Sequence, residues 1–256
     1  MTERAHYSRA PITEAVIDLR VTQTREFTMS DLEPVREIVA DRYPHQENMF
    51  AGEVRVPVGE VGEPGQVETL HQQLGFRFID KGRQHIFQAR LDGFAFSVLA
   101  PYDRWETFRD EARRLWDVYK SVTMAEGVTR VAVRYINRID IPTATEPAVT
   151  IEDYLKTYPE IPSDWPYQNM QAYFMQLQIP QADLGGILVI NQGTAPPPDL
   201  ETTSILLDFD LFRADYDQPW RTDEDTEVWE FLERLHDRKN EYFERSITNE
   251  TRGLIE

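Results

Sequence analysis

No cysteine occurs among the 256 residues. Disulfides, thiolate metal centres and cysteine nucleophiles are thereby excluded, and the absence is compatible with a reducing compartment. Long apolar runs are missing as well. None approaches the roughly 18 residues that a membrane-spanning helix requires, and the opening MTERAHYSRAP holds no apolar core of the kind a secretory leader carries. These absences predict a soluble, cytoplasmic protein with no membrane partner. Positive charge is scarce: 27 Lys and Arg stand against 45 Asp and Glu, a formal net charge of -18. A protein that grips phosphate backbones needs a basic footprint, so duplex nucleic acid is not an expected partner. The deficit is uneven. Residues 1–127 carry 16 basic against 21 acidic side chains, net -5, while residues 128–256 carry 11 against 24, net -13. An acidic second half serves solubility, steers a basic partner, or mimics nucleic acid.

Catalytic signatures are equally scarce. There is no G-x-S-x-G elbow, no H-E-x-x-H or H-x-x-x-H pair and no Walker-type glycine loop, and His6, His45, His71, His85 and His236 stand in unrelated contexts. No catalytic residue and no cofactor is assigned, and the reading points away from an enzyme. The best metal candidate is Asp208-Phe209-Asp210, because residues two apart on a strand share a face and two carboxylates hold Mg²⁺ in some transferases. The surroundings disfavour it. Ile205, Leu207, Phe209 and Leu211 form an ordinary core row, which leaves both aspartates facing water.

What the chain does contain is period-2 and period-3.6 apolar patterning. A first strand, Ala15 to Val21, places Glu14, Asp18 and Arg20 on its even face. Ser30 and Glu33 have capping-box spacing and open a predicted helix that runs to Tyr43-Pro44. Residues 52–75, rich in Gly, Pro and Glu, read as a hairpin or loop with a strand only at Val54 to Val58. GFRFID and RQHIFQARLDGFAFSVLA then read as about three antiparallel strands joined by tight turns. Arginines interleave with Phe76, Phe78 and Phe87 there, as in a base-stacking sheet, but the shared parity of Phe76 and Phe78 assigns those rings to the core. Tyr102 to Thr123 is the clearest helix, closed near Gly127.

The second half repeats the order: a strand over 131–141, a short helix at Ile151 to Tyr158, strands at Met170 to Ile179, Gly186 to Asn191 and Thr203 to Arg213, and a long helix from Val228 to Ile247. The expected fold is therefore α+β, with two similar strand-helix-strands-helix halves sharing an antiparallel sheet and their long helices on one face. That arrangement is analogous to the TATA-binding-protein-like saddle or to a helix-grip fold. The halves, 1–127 and 128–256, are either two domains or one continuous one.

The strand VAVRYINRIDIP concentrates the interest. Val131, Val133, Tyr135, Ile139 and Ile141 form an apolar row, Arg134, Arg138 and Asp140 share the opposite face, and Asn137 interrupts the row. A bulge after Tyr135 would swing Asn137 onto the charged face. Glu14, Asp18, Arg20, Arg134, Asn137, Arg138 and Asp140 are accordingly the candidate binding residues. They form either a cross-strand ion-pair lattice or a polar floor for an anionic or partner-borne group.

PITEAVIDLRV, RYINRIDIP and FERSITNETRGLI together resemble a sporadically distributed, uncharacterised bacterial protein family of about this length. Its corresponding pieces read P-I-x-E-A-V, R-Y-x-N-R-I and F-x-x-x-I-T-x-x-x-R. Pro11, Glu14 and Asp18, then Arg134, Tyr135, Asn137 and Arg138, then Phe243, Ile247, Thr248 and Arg252 fit those pieces. The resemblance implies no activity; a sporadic distribution implies horizontal transfer, which is usual for defence and toxin-neutralising genes. The functional expectation is a non-enzymatic binding or regulatory protein acting through a protein partner. A module sensing a small ligand, such as a small anion, or a nucleotide, with or without hydrolytic activity, and an acidic nucleic-acid mimic, are the alternatives.

Overall fold

The computed structural model describes residues 7–22, 27–55, 68–143, 149–167, 170–221 and 226–256; for 52–55 and 68–71 it describes the backbone. The protein is α+β and is built on one large antiparallel sheet. In the first half, β1 (Ile12–Thr22) is followed by two short helices, α1 (Met29–Leu32) and α2 (Pro34–Val39). A meander comes next, of β2 (His45–Arg55), β3 (Glu68–Ile79), β4 (His85–Arg90) and β5 (Gly93–Leu99), and then the helix α3 (Trp105–Thr123). The second half comprises β6 (Gly127–Pro142), a 3₁₀ turn at Ile151–Asp153, β7 (Phe174–Gln181), β8 (Gly186–Ala195), β9 (Thr202–Ala214), the two-residue β10 (Trp220–Arg221), α4 (Thr226–Ser246) and α5 (Asn249–Ile255).

The strands lie in the order β2-β3-β4-β5-β1-β6-β9-β8-β7, with β10 paired to β6. The first strand of each half sits at the centre, β1 against β6, and each is flanked outward by the last long strand of its own meander. Alternation decides which face is covered. Ala15, Ile17 and Leu19 of β1 and Val131, Val133, Tyr135, Ile139 and Ile141 of β6 are fully buried on one face. The helices supply the other side of that core. Phe94 and Phe96 of β5 meet Trp116 and Phe108 of α3, and Phe209 of β9 meets Phe243 of α4. Each such side chain contributes about 1.5–3 kcal/mol of burial. Trp105, Trp116 and Trp229 are core residues, as their helical spacing predicts.

Several elements differ from the sequence expectation. The first helix is capped by Thr28, whose hydroxyl and backbone N–H both contact the Asp31 carboxylate (2.8 and 2.9 Å). Ser30 and Glu33 have the same spacing but lie inside the turn already made. Pro34 lacks an N–H to continue the ladder, so the helix splits into α1 and α2 and ends at Val39. The expected loop over 52–75 is in part strand: β3 begins at Glu68 and pairs with β2 back to Arg55, while residues 56–67 lie outside the described residues. α3 closes at Met124, in the left-handed region (φ 50°), whose N–H reaches the Lys120 carbonyl; Gly127 already belongs to β6. The helix expected at Ile151 to Tyr158 is a single 3₁₀ turn, and the long helix ends at Ser246, with Ile247 in an isolated bridge to Leu155 just before Thr248 caps α5.

Candidate functional site: the uncovered face of the sheet

The even face of β1 and β6 carries no packed helix among the described residues, and the charged side chains collect there. The register brings them together. Arg20 lies directly opposite Arg130, an arrangement of like charges that is unfavourable by itself. Asp18, one step along the face, resolves it. Its Oδ1 accepts from Arg130 Nη1 (2.7 Å) and Arg20 Nε (3.2 Å), and its Oδ2 accepts from Arg90 Nη2 of β4 (2.5 Å), across the intervening strand β5. On β5 Gly93 stands opposite Arg90 and Ala95 opposite Asp18, both small enough for the Arg90 side chain to reach diagonally across them. Burial pushes the Asp18 carboxyl up, but Arg90, Arg20 and Arg130 together outweigh it and hold the group below its ordinary value.

The lattice continues into the second half. Arg130 Nη2 pairs with Asp210 of β9 (3.1 Å) while its guanidinium lies 4.4 Å from the Phe212 ring centroid. Arg134 makes a two-pronged contact with Asp208 (2.9 and 2.7 Å), whose Oδ2 also accepts from Asn191 of β8 (2.9 Å). Arg20 and Arg90 share Asp92 in the β4–β5 turn. Four guanidinium groups, Arg20, Arg90, Arg130 and Arg134, thus face four carboxylates, Asp18, Asp92, Asp208 and Asp210, across five strands. Asp210 behaves oppositely to Asp18. Burial raises its pKa, Arg130 and Arg134 offset this only in part, and Asp208 and Asp18 add repulsion.

The expectation that Asp208 and Asp210 face water is therefore corrected. Asp208 is 1% exposed, and both carboxylates are occupied by arginines. Among the described residues no three His, Asp or Glu side chains gather as metal ligands. A second correction concerns Asn137. The pairing of β6 with β9 runs without a shift from Arg130 to Pro142, so no bulge follows Tyr135. The irregularity lies in β1, where Thr13 is the extra residue between Ile12 and Glu14. Asn137 stays on the core face, where its Nδ2 donates to the Leu207 carbonyl (2.9 Å) and, more weakly, to that of Tyr135 (3.4 Å). It is not part of the polar cluster.

Arg138 and Asp140 share the even face with the lattice but not its position. Arg138 lies six residues beyond Ala132, the partner of Asp18, which is about 20 Å along the strand. There Arg138 Nε pairs with Asp140 (2.8 Å) and Ser204 donates to the same carboxylate oxygen (2.5 Å), forming a separate group. Glu14 lies between the two groups and acts on Arg134 through its charge. Arg90, Arg130, Asp92 and Asn191 are lattice members that sequence reasoning missed. Extending the even parity of Arg134 back past Val131 reaches Arg130, so that one was detectable; Arg90 and Asn191 are joined to the site only by strand order.

Chemically the lattice presents no free nucleophile and no uncommitted cation at its centre. It is a rigid, charge-balanced platform: Ala132, between Arg130 and Arg134, is covered by long side chains despite lying on the open face. No protein-family model matches the chain, and no curated protein matches its sequence.

Proposed function

We propose that this is a non-enzymatic binding or regulatory protein whose uncovered sheet face docks a basic protein partner. The observation that carries the reading is the composition of that face. Val16, Ile136, Val189, Leu206 and Phe212 stand between the ion pairs by register, and Phe174 on the edge strand β7 is 72% exposed. Apolar side chains spread over an uncovered face, interleaved with fixed polar groups, suit a protein interface. Because each lattice arginine is already matched by a carboxylate, the face has little to offer a phosphate backbone. The remaining charge of this -18 chain steers a cationic partner towards it. A toxin-neutralising or defence setting, implied by the resemblance, fits an antagonist that covers a basic effector. The mirrored strand order supports reading the sheet as one unit repeated, in the manner of a TATA-binding-protein-like saddle or a helix-grip fold.

The test is affinity capture from the native host with the wild-type chain and with Val189→Asp plus Leu206→Asp, followed by mass spectrometry. A basic protein held by the wild type, released by raised salt and lost with the double variant supports the reading. Retention of the same proteins by the double variant sinks it. So does micromolar duplex DNA binding that disappears in Arg134→Ala plus Arg138→Ala, because a local basic face would then have overcome the net charge.

A further inference from the structure

Three separate stretches of chain meet at the end of the sheet away from the lattice. The N–H of Arg138 in β6 donates to the carbonyl of Pro11 before β1 (2.8 Å), and the N–H of Arg9 donates to the carbonyl of Ile255 in α5 (3.0 Å). Between them is a cleft of about 430 Å³, within the size range of small-ligand sites. Pro11, Ile12, Leu254 and Ile255 give it an apolar wall, and Arg9, Arg138 and Asp140 line it with charge.

Arg138 is the unusual member. Its Nε is taken by Asp140, but its Nη2 is buried and has no hydrogen-bond partner. A guanidinium N–H group hidden from water without an acceptor is a costly state, and such exceptions call for an ion, a ligand or a water. With Nε occupied, the two Nη groups remain as a fork, the geometry that matches a carboxylate. Arg9 adds a second guanidinium, directed by its own bonds to main-chain oxygens of Glu256 and Gly253.

We propose that this cleft binds a small monocarboxylate with an apolar body, its carboxylate held by the Nη fork of Arg138 and its body against Pro11, Ile12 and Leu254. The ligand carboxylate supplies the acceptor that Nη2 lacks. The same chemistry is presented by a free short-chain carboxylate and by the C-terminus of a peptide ending in an apolar residue. The proposal does not rest on the docking reading, although Arg138 stands directly opposite Leu206 of that face.

The test is titration of the full chain with hexanoate and with hexanamide, followed by backbone amide shifts in NMR. Acetyl-Ala-Ala-Leu with a free and with an amidated C-terminus forms the second arm. Saturable shifts at Ile12 and Leu254 are expected with hexanoate or the free-acid peptide, and binding about tenfold or more weaker with the matching amide. The tighter of the two acids identifies the source. Arg138→Gln is expected to lose the preference for the acid, and Arg138→Lys to retain part of it. Equal binding of acid and amide, or no saturable shift in the cleft with either acid, overturns the proposal. That comparison uses the wild-type protein, so it holds even where a variant fails to fold.

Discussion

At the residue scale, Asp18 and Asp210 are two carboxylates in one lattice with opposite electrostatic roles. Asp18 gathers three guanidinium groups, and removing its charge leaves Arg20 and Arg130 opposed across the central strand pair with nothing between them. Asp18→Asn is expected to cost about 3 kcal/mol, the scale for breaking a buried ion pair, read as a lowered urea midpoint at pH 7. Its folded pKa is depressed, so its contribution is fully present above the unfolded value near 3.9 and is lost as pH falls through the lower folded value. The gap between wild type and Asp18→Asn should therefore close below about pH 4. Asp210 is raised, so its ionised form weakens the fold above the raised value and the penalty vanishes below the unfolded one. Asp210→Asn should leave stability at pH 7 unchanged or slightly increased, measured by the same unfolding curves. A loss comparable to that of Asp18→Asn would refute this account of the lattice. The parity of Asp18, Arg20 and Arg134 was legible in the sequence because it needs only a two-residue period; their partners were not, because pairing depends on which strand lies alongside.

At the element scale, β6 shows how a local rule is read correctly in one part and wrongly in another. Asn137 interrupts the apolar row, and a bulge in its own strand is the simplest remedy that sequence offers. The structure instead keeps β6 regular around Asn137 and satisfies the amide on the carbonyl of its cross-strand partner Leu207, while the neighbouring strand β1 takes the extra residue there. Thr13 secures that irregularity through its hydroxyl, which donates to the Ile136 carbonyl (3.0 Å). Asn137→Ala should lower stability by about 1–2 kcal/mol through loss of the bond and its packing. Asn137→Asp should cost more, because a carboxylate there would be buried and would face carbonyl oxygens. Thermal unfolding midpoints rank the two, and an equal or smaller loss for the aspartate would contradict the assigned geometry. The same face holds a polar contact that periodicity alone could not place. Lys239 of α4 is buried with its ammonium 3.7 Å from the Tyr135 ring centroid, and the Tyr135 hydroxyl itself lies 3.1 Å from that of Tyr102. On a helical wheel Lys239 falls in the apolar stripe between Leu235 and Phe243, so its spacing places it on the buried face; what only the docking of α4 on β6 supplies is the ring that receives its charge.

At the scale of the whole molecule, the sheet is continuous across the midpoint of the chain, because β1 and β6 pair from Ile12–Asn137 to Thr22–Gly127. A fragment of residues 1–127 would leave the long edge of β1 unpaired and Asp18 without Arg130, the condition that promotes edge association. The intact chain is expected to unfold in one transition by both circular dichroism and tryptophan fluorescence, and the 1–127 fragment to aggregate or remain unfolded. Two resolved transitions with a soluble, folded fragment would show independent domains instead. The sequence by itself determined the α+β class, the acidic balance, the apolar rows and the helix α3, since each follows from composition or from a period of two or 3.6 residues. Only the tertiary structure decided that Arg90 and Arg130 converge on Asp18, that Asp208 is buried under Arg134, and that Arg138 is drawn away to a cleft with Pro11 and Ile255. Those facts depend on strand order and register, where residues 72 to 112 positions apart are brought onto strands spaced about 5 Å from one another.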